Sequence, residues 1–203
     1  VRRMLDTFVV CFPSPADRPG VRALLNDAEE TLEPKSGAAP AALVFKTVIE
    51  PHLGELSLIR VFSGTFVSGT DVHNTTRNSS EKLGQIYILQ GRDRKEIGKL
   101  EAGDIGAVVK LKATHTNDTL GSNGKAYVLP RTVFPEPLAV EAVVPKHKGE
   151  EDKIGIAMHK IMEEDPTVRL EVDSELRQQL LRGMGELHLE VILDKLRDKH
   201  VEV

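Results

Sequence analysis

The spacing of apolar residues changes at Pro137, and no single fold accommodates both patterns. From Ala41 to Phe134, short β-favouring runs alternate with Gly, Asn, Ser and Thr turns, at 43–49, 55–62, 70–74, 82–89, 106–111 and 126–129. Strands this short, punctuated by glycines such as Gly64, Gly69 and Gly103, predict an antiparallel barrel or sandwich. Beyond Pro137 the period lengthens. Residues 138–144 read as a strand ended by Pro145. Ile154, Ala157, Met158, Ile161 and Met162 then mark one face of a helix. Glu150, Glu151 and Asp152 place negative charge at its start, and Pro166 lies just past its end. Val168, Leu170 and Val172 alternate with Arg169 and Glu171, a strand with one wet face. A short strand at 179–182, a second helix and a strand beginning near Val201 complete the order β-α-β-β-α-β. That order is the ferredoxin-like split βαβ arrangement, whose helices need a sheet to cover. The fold class expected is therefore a β barrel followed by an α+β domain.

Upstream of both lies a segment of different texture. Met4, Leu5, Phe8, Val9 and Phe12 recur at helical spacing before Pro13 and Pro15 stop the helix. Residues 13–40 hold five prolines and read mainly as connector. The expected domains are 1–37 as leading helix and connector, 38–135 as barrel, and 136–203 as split βαβ unit. Hinge motion is expected at 133–137, where two prolines stiffen a short joint.

Composition sets limits on function. The chain has 203 residues, 40% hydrophobic and 29% charged, enough apolar material for two cores. It contains no apolar run of membrane-spanning length, so no membrane partner is expected. A single cysteine, Cys11, rules out an internal disulfide framework and fits a reducing, cytoplasmic setting. The net charge of −4 is unevenly spread. Residues 36–135 carry 12 basic and 9 acidic side chains (+3), and 136–203 carry 10 and 16 (−6). Two domains facing different surfaces would produce this asymmetry, and so would chance.

Catalytic signatures are missing. No phosphate-binding G-x-x-x-x-G-K-[ST] loop or G-x-S-x-G elbow occurs, and the seven histidines form no i, i+4 pair near cysteine. No metal site is expected. Glu163-Glu164-Asp165 resembles an acid/base cluster, but carboxylates at a helix end before proline are more often a solvated terminus. The chain is expected to be catalytically silent. Arg92, Arg94, Lys95 and Lys99 lie close together, with Arg77 and Lys82 upstream and Lys110 and Lys112 downstream. They would make a phosphate-contacting face on the barrel, or a solvated one. With no Trp and two Tyr, RNA contact would rest on backbone charge and shape rather than base stacking.

One stretch is more specific than the rest. In Arg182-Gly183-Met184-Gly185-Glu186-Leu187-His188-Leu189-Glu190, two glycines bracket Met184 between a strand and a helix. Glu186 falls in the first helical turn, and Leu189, Ile192, Leu193 and Leu196 make its buried stripe. His188 reads as a helix residue at an interface edge. The nine-residue string resembles the signature of the third domain of elongation factor G, a translation GTPase family. The run from Gly54 to Thr65 resembles the early strands of that family's second-domain barrel. Leu100 to Val109 resembles its later turn and strand, and Asp118-Thr119-Leu120 its "DTL" step. Phe134-Pro135-Glu136-Pro137 is similar to the junction between the two domains, Glu163 to Thr167 to the end of the third domain's first helix, and Leu5-Asp6 with Pro13-Ser14-Pro15 to the tail of the GTPase domain. The loop Gln90-Gly91-Arg92-Asp93-Arg94, Gly121, and Pro145-Lys146-His147-Lys148 depart from the housekeeping pattern.

The resemblance implies a translation-factor β-barrel (domain II) and a ferredoxin-like domain III. It implies a parent protein that hydrolyses GTP with Mg2+ in an N-terminal domain and drives ribosomal translocation, while this part binds no nucleotide. Implied partners are the ribosome, through small-subunit ribosomal RNA and a small-subunit protein, and the parent's own GTPase and C-terminal domains. Gly183, Met184, Gly185, Glu186 and His188 would face the junction where fusidic acid wedges in this family, and Arg92, Arg94 and Lys95 the ribosome. A ribosomal protection or recycling paralogue and a non-ribosomal protein-interaction pair are the alternatives.

Overall fold

The computed structural model describes every residue except 51, 52, 92, 147–150, 174, 176, 177, 202 and 203. The chain divides into two compact units, Val1–Thr132 and Val133–Val203.

The first unit begins with α1 (Arg2–Cys11), none of whose residues is buried. Residues 13–40 are not plain connector. Strands β1 (Val21–Leu25) and β2 (Ala28–Leu32) form a hairpin whose central residues, Asn26 and Asp27, both have positive φ (50° and 64°). That is the conformation a tight two-residue hairpin needs, and Asn and Asp tolerate it. The surrounding prolines mask this signal in the sequence.

The barrel follows. It comprises β3 (Ala41–Glu50), β4 (Gly54–Ser63), β5 (Thr65–Val67), β6 (Asp71–Asn74), β7 (Ser79–Lys82), β8 (Ile86–Gln90), β9 (Asp93–Ile97), β10 (Lys99–Glu101), β11 (Ile105–Val109) and β12 (Thr119–Gly121). Eight of them make one antiparallel sheet in the order β7-β6-β12-β3-β4-β11-β8-β9, and β5 pairs with β10. Register shifts in β3 near Ala41 and Phe45 mark irregularities that bend the strand, as bulges do. Ala42, Val44, Ile59, Val61, Phe66, Leu83, Ile86, Leu100, Val108 and Leu120 form the enclosed core.

Three strand expectations change. The run at 82–89 is two strands, because 83–85 turn between β7 and β8 with Leu83 buried and its N–H on Thr70 O. The run at 106–111 ends at Val109, where Lys110 swings to φ 69°. The run at 126–129 becomes β13 (Tyr127–Val128), which pairs with β1, so the N-terminal hairpin and the end of the barrel share a small core around Ala23, Leu32, Ala41, Tyr127 and Leu129. Gly103 seals another join. Its φ is 99°, and a Cβ there would lie 2.6 Å from the Pro15 ring.

The second unit contains β14 (Ala139–Val143), α2 (Glu151–Glu164), β15 (Arg169–Asp173), β16 (Gln178–Gly183) and α3 (Glu186–Asp198). Its sheet runs β14-β16-β15, all antiparallel neighbours, so β14 and β15 are parallel across the crossover that contains α2. This is a split βαβ topology. Ile154, Ala157, Met158 and Ile161 of α2 meet Leu189, Ile192 and Leu196 of α3 over Val143 and Leu181. Val172 is 71% exposed rather than inward, since it sits near the far end of an edge strand. Val201 is buried, and the residues that would extend the expected last strand lie outside the described part, as do Glu150, His147 and Lys148.

Candidate functional site

The strand-turn-helix at 182–190 is built from close packing and a short hydrogen-bonded chain. Gly183 ends β16 directly under α3. A Cβ at Gly183 would approach Leu189 Cδ2 to 2.8 Å and His188 Nδ1 to 3.4 Å. Glycine is thus required by the approach of the helix. Gly185 differs: its φ of 175° is ordinary extended backbone and the space around its Cα is open. The reading that both glycines are needed for a sharp reversal holds only for the first. Gly185 O accepts the Leu189 N–H at 3.1 Å, opening α3, and Glu186 occupies the first turn.

His188 joins two loops. Its Nδ1 accepts the Met184 N–H at 3.1 Å, and its Nε2 lies 3.2 Å from Asp165 Oδ2. A nitrogen that accepts carries no proton, so the ring's proton sits on Nε2 and is donated to Asp165. Asp165 Oδ1 in turn accepts the Thr167 N–H at 2.9 Å and its hydroxyl at 2.6 Å. Burial pushes the Asp165 carboxyl up, but the Thr167 hydrogen bonds and the neighbouring His188 outweigh it and hold the pKa below its usual value. Outside this chain of bonds, Met184, Leu187 and Val191 expose apolar surface. The result is a fixed turn that presents apolar groups beside Glu186.

Sequence reasoning set Glu163-Glu164-Asp165 aside as a solvated helix end, and Asp165 proves to be the anchor of this chain of bonds. The signal was legible. An Asp two residues before a Thr, across a proline, is an Asx turn in waiting. Nothing local indicated that His188, 23 positions later, would close on it.

The barrel's basic residues divide into those already engaged and those that are not. Arg77 Nε contacts the buried Asp118 Oδ2 at 2.6 Å. Arg94 is held by Glu50, and Lys99 by Glu101 at 2.5 Å. The last pair lowers the glutamate's pKa and raises the lysine's, through their mutual hydrogen bond first and their charges second. Lys95 lies exposed on β9. Arg92 is outside the described residues. The cluster expected on one face is therefore partly consumed inside the unit.

Asp118, from the "DTL" step, is the hub of the barrel's polar interior. Its Oδ2 also accepts Asn74 Nδ2 and the His115 N–H, both at 2.9 Å. Thr119 Oγ1 accepts the Leu129 N–H at 3.0 Å. The triplet is structural. Among the described residues, no group of three or more His, Cys, Asp or Glu side chains has metal-binding geometry.

Comparison with known proteins identifies both units. The family described as Elongation factor G domain 2 matches residues 39–123, and Elongation Factor G, domain III matches 134–203. The chain belongs to the elongation factor G family. A crystal structure of a protein from Thermus thermophilus superposes with a TM-score of 0.80 at 28% identity, over 99% of this chain and 28% of that one. The chain thus spans about 28% of that relative's length. It carries the translation-factor barrel of domain II and the split βαβ fold of domain III, and it is translation-elongation-factor-like. No helix among the described residues is long and apolar enough to cross a membrane.

Proposed function

We propose that this chain is the ribosome-facing and relay part of a cytoplasmic translocase that couples GTP hydrolysis to movement of the ribosome. The observation that carries the reading is the succession of domain II and domain III matches, in family order, over 39–123 and 134–203. In this reading residues 1–37 close a GTPase domain, 38–135 form domain II and 136–203 form domain III. GTP and Mg2+ act in the GTPase domain, and this chain takes up neither. The barrel docks on that domain and on small-subunit ribosomal RNA, and domain III lies near a small-subunit protein and the C-terminal domains.

The turn from Gly183 to His188 is the interdomain face. Its support is the exposed Met184 and Leu187 held on a hydrogen-bonded turn, a rigid apolar presentation suited to docking. Lys95 is the ribosome-facing cation of the β8–β9 hairpin, together with Arg92, and Arg94 shapes that hairpin through Glu50. The hairpin's departure from the housekeeping loop favours a second reading, a ribosomal protection or recycling paralogue. The test is co-sedimentation of the full-length protein with ribosomes in the presence of a non-hydrolysable GTP analogue, over a salt series. Sedimentation that weakens with salt is expected, and its absence overturns the ribosomal reading. A translocation assay then separates the translocase from a paralogue that binds without moving the ribosome.

A further inference from the structure

The barrel carries a groove that sequence reasoning did not single out. It has a volume of about 660 Å3 and lies where the end of β7 and the 83–85 turn meet the segment following β11. Lys82, Lys110 and Lys112 line it, with Ser68, Ser79 and the aliphatic Leu83. All three lysines are exposed, and none has an ion-pair or hydrogen-bond partner for its ammonium among the described residues. This contrasts with Arg77, Arg94 and Lys99, each of which is bound to a carboxylate of its own unit.

The one acidic residue in the lining is already committed. Glu81 Oε2 accepts the Lys112 and Ala113 N–H groups, and its Oε1 accepts the Thr114 hydroxyl at 2.6 Å. That carboxylate clasps β7 to the 112–114 segment, so it fixes the positions of Lys82 and Lys112 relative to one another. Charge in the lining is three lysines against Glu81, a local excess of two. Lys110 is held at φ 69°, in the left-handed region that a non-glycine residue enters only when its surroundings demand it. Ser79 adds a buried hydroxyl without a partner among the described residues.

We infer that this groove binds the phosphodiester backbone of an RNA strand, with Lys82, Lys110 and Lys112 as the phosphate contacts. The volume suits a nucleotide-sized ligand, unpaired ammonium groups supply charge without an internal competitor, and the absence of aromatic lining residues excludes base stacking as the source of affinity. The choice of RNA as the polyanion rests on the ribosome-facing reading above. The groove itself does not.

The test measures binding of the 203-residue chain to a fluorescent oligouridylate of about eight nucleotides. Two to three phosphate contacts on a single strand predict about a tenfold loss of affinity between about 50 and 200 mM salt. The variant K82Q/K110N/K112Q should lose most of that salt dependence; asparagine is chosen at 110 because it tolerates positive φ. K82R/K112R should retain binding, and K95Q, outside the groove, should leave the salt slope unchanged. A slope that survives the triple substitution, or one that falls equally with K95Q, overturns the inference. So does inorganic phosphate that binds as tightly as the oligonucleotide, which would mark a free-anion site. Full-length protein whose triple variant sediments with ribosomes as well as the parent, with no change in salt dependence, sinks the groove and leaves the ribosomal reading standing. Lysine-dependent oligonucleotide binding without sedimentation does the reverse.

Discussion

The two units each contain a polar network centred on one aspartate, and the networks differ in depth. In the barrel, Asp118 is 3% exposed and Asn74 fully enclosed, so every donor that Asp118 satisfies has no alternative in water. In the second unit, Asp165 and His188 are about a third and a fifth exposed at the side chain, and water can replace what either loses. The first network is part of the fold. The second holds a turn whose apolar groups remain available. Burial, rather than the chemistry of the residues, separates a scaffold from a presenting surface.

The comparison breaks first at Asp118. Asp118→Ala leaves Asn74, Arg77 and the His115 N–H without an acceptor, and should cost about 3–5 kcal/mol, enough to unfold a marginal barrel. Both tyrosines, Tyr87 and Tyr127, belong to the first unit, so intrinsic tyrosine fluorescence reports its melting alone. A loss under about 1 kcal/mol would contradict the scaffold role.

A packing substitution is the next largest. Gly183→Ala drives a methyl against Leu189 Cδ2 and should destabilise the second unit by about 1–3 kcal/mol, read from the far-UV helix signal in urea. Gly185→Ala, in open space, should change it by less than about 0.5 kcal/mol. Equal effects at the two glycines would refute the account of the turn given above.

His188→Ala removes two hydrogen bonds from a partly exposed site, and should cost about 1–2 kcal/mol in the second unit with the barrel's tyrosine transition unmoved. Movement of that transition would show that the networks are coupled.

Acid supplies the smallest effect and the sharpest sign. Asp165 has a folded pKa below its unfolded one. Its contribution is therefore complete above the unfolded value of about 3.9 and is lost as pH falls through the folded value. Asp165→Asn should flatten the fall in second-unit stability below about pH 4, and leave the dependence above that unchanged. A flattened profile near neutrality would mean that another group carries it.

How much of this was legible in the sequence varies by element. The stripes of α2 and α3 emerged with nearly every buried residue correct, because a helix repeats every 3.6 positions and its core face is a local property. The barrel's existence was legible from short runs and turns, but its small strands were not. β5, β10 and β12 have three residues each, too few for a period to show, and they become strands only because a distant partner offers hydrogen bonds. The β1–β2 hairpin was hidden by prolines around its Asn-Asp turn. Within the candidate site, the Gly183 and Glu186 positions could be read from local grammar. The closing of His188 on Asp165 could not, since it depends on the angle at which α3 crosses the end of α2.

The sequence by itself determined the two-part architecture, the helical faces and the family, since each is written in local periodicity or in contiguous strings of residues. Tertiary structure alone decided which charges are free. Arg77, Arg94 and Lys99 look no different in the sequence from Lys82, Lys110 and Lys112. The first three find carboxylates 41, 44 and two residues away, and the second three find none among the described residues. Electrostatic pairing acts through space at a few ångströms, and the order of residues along the chain does not encode those distances.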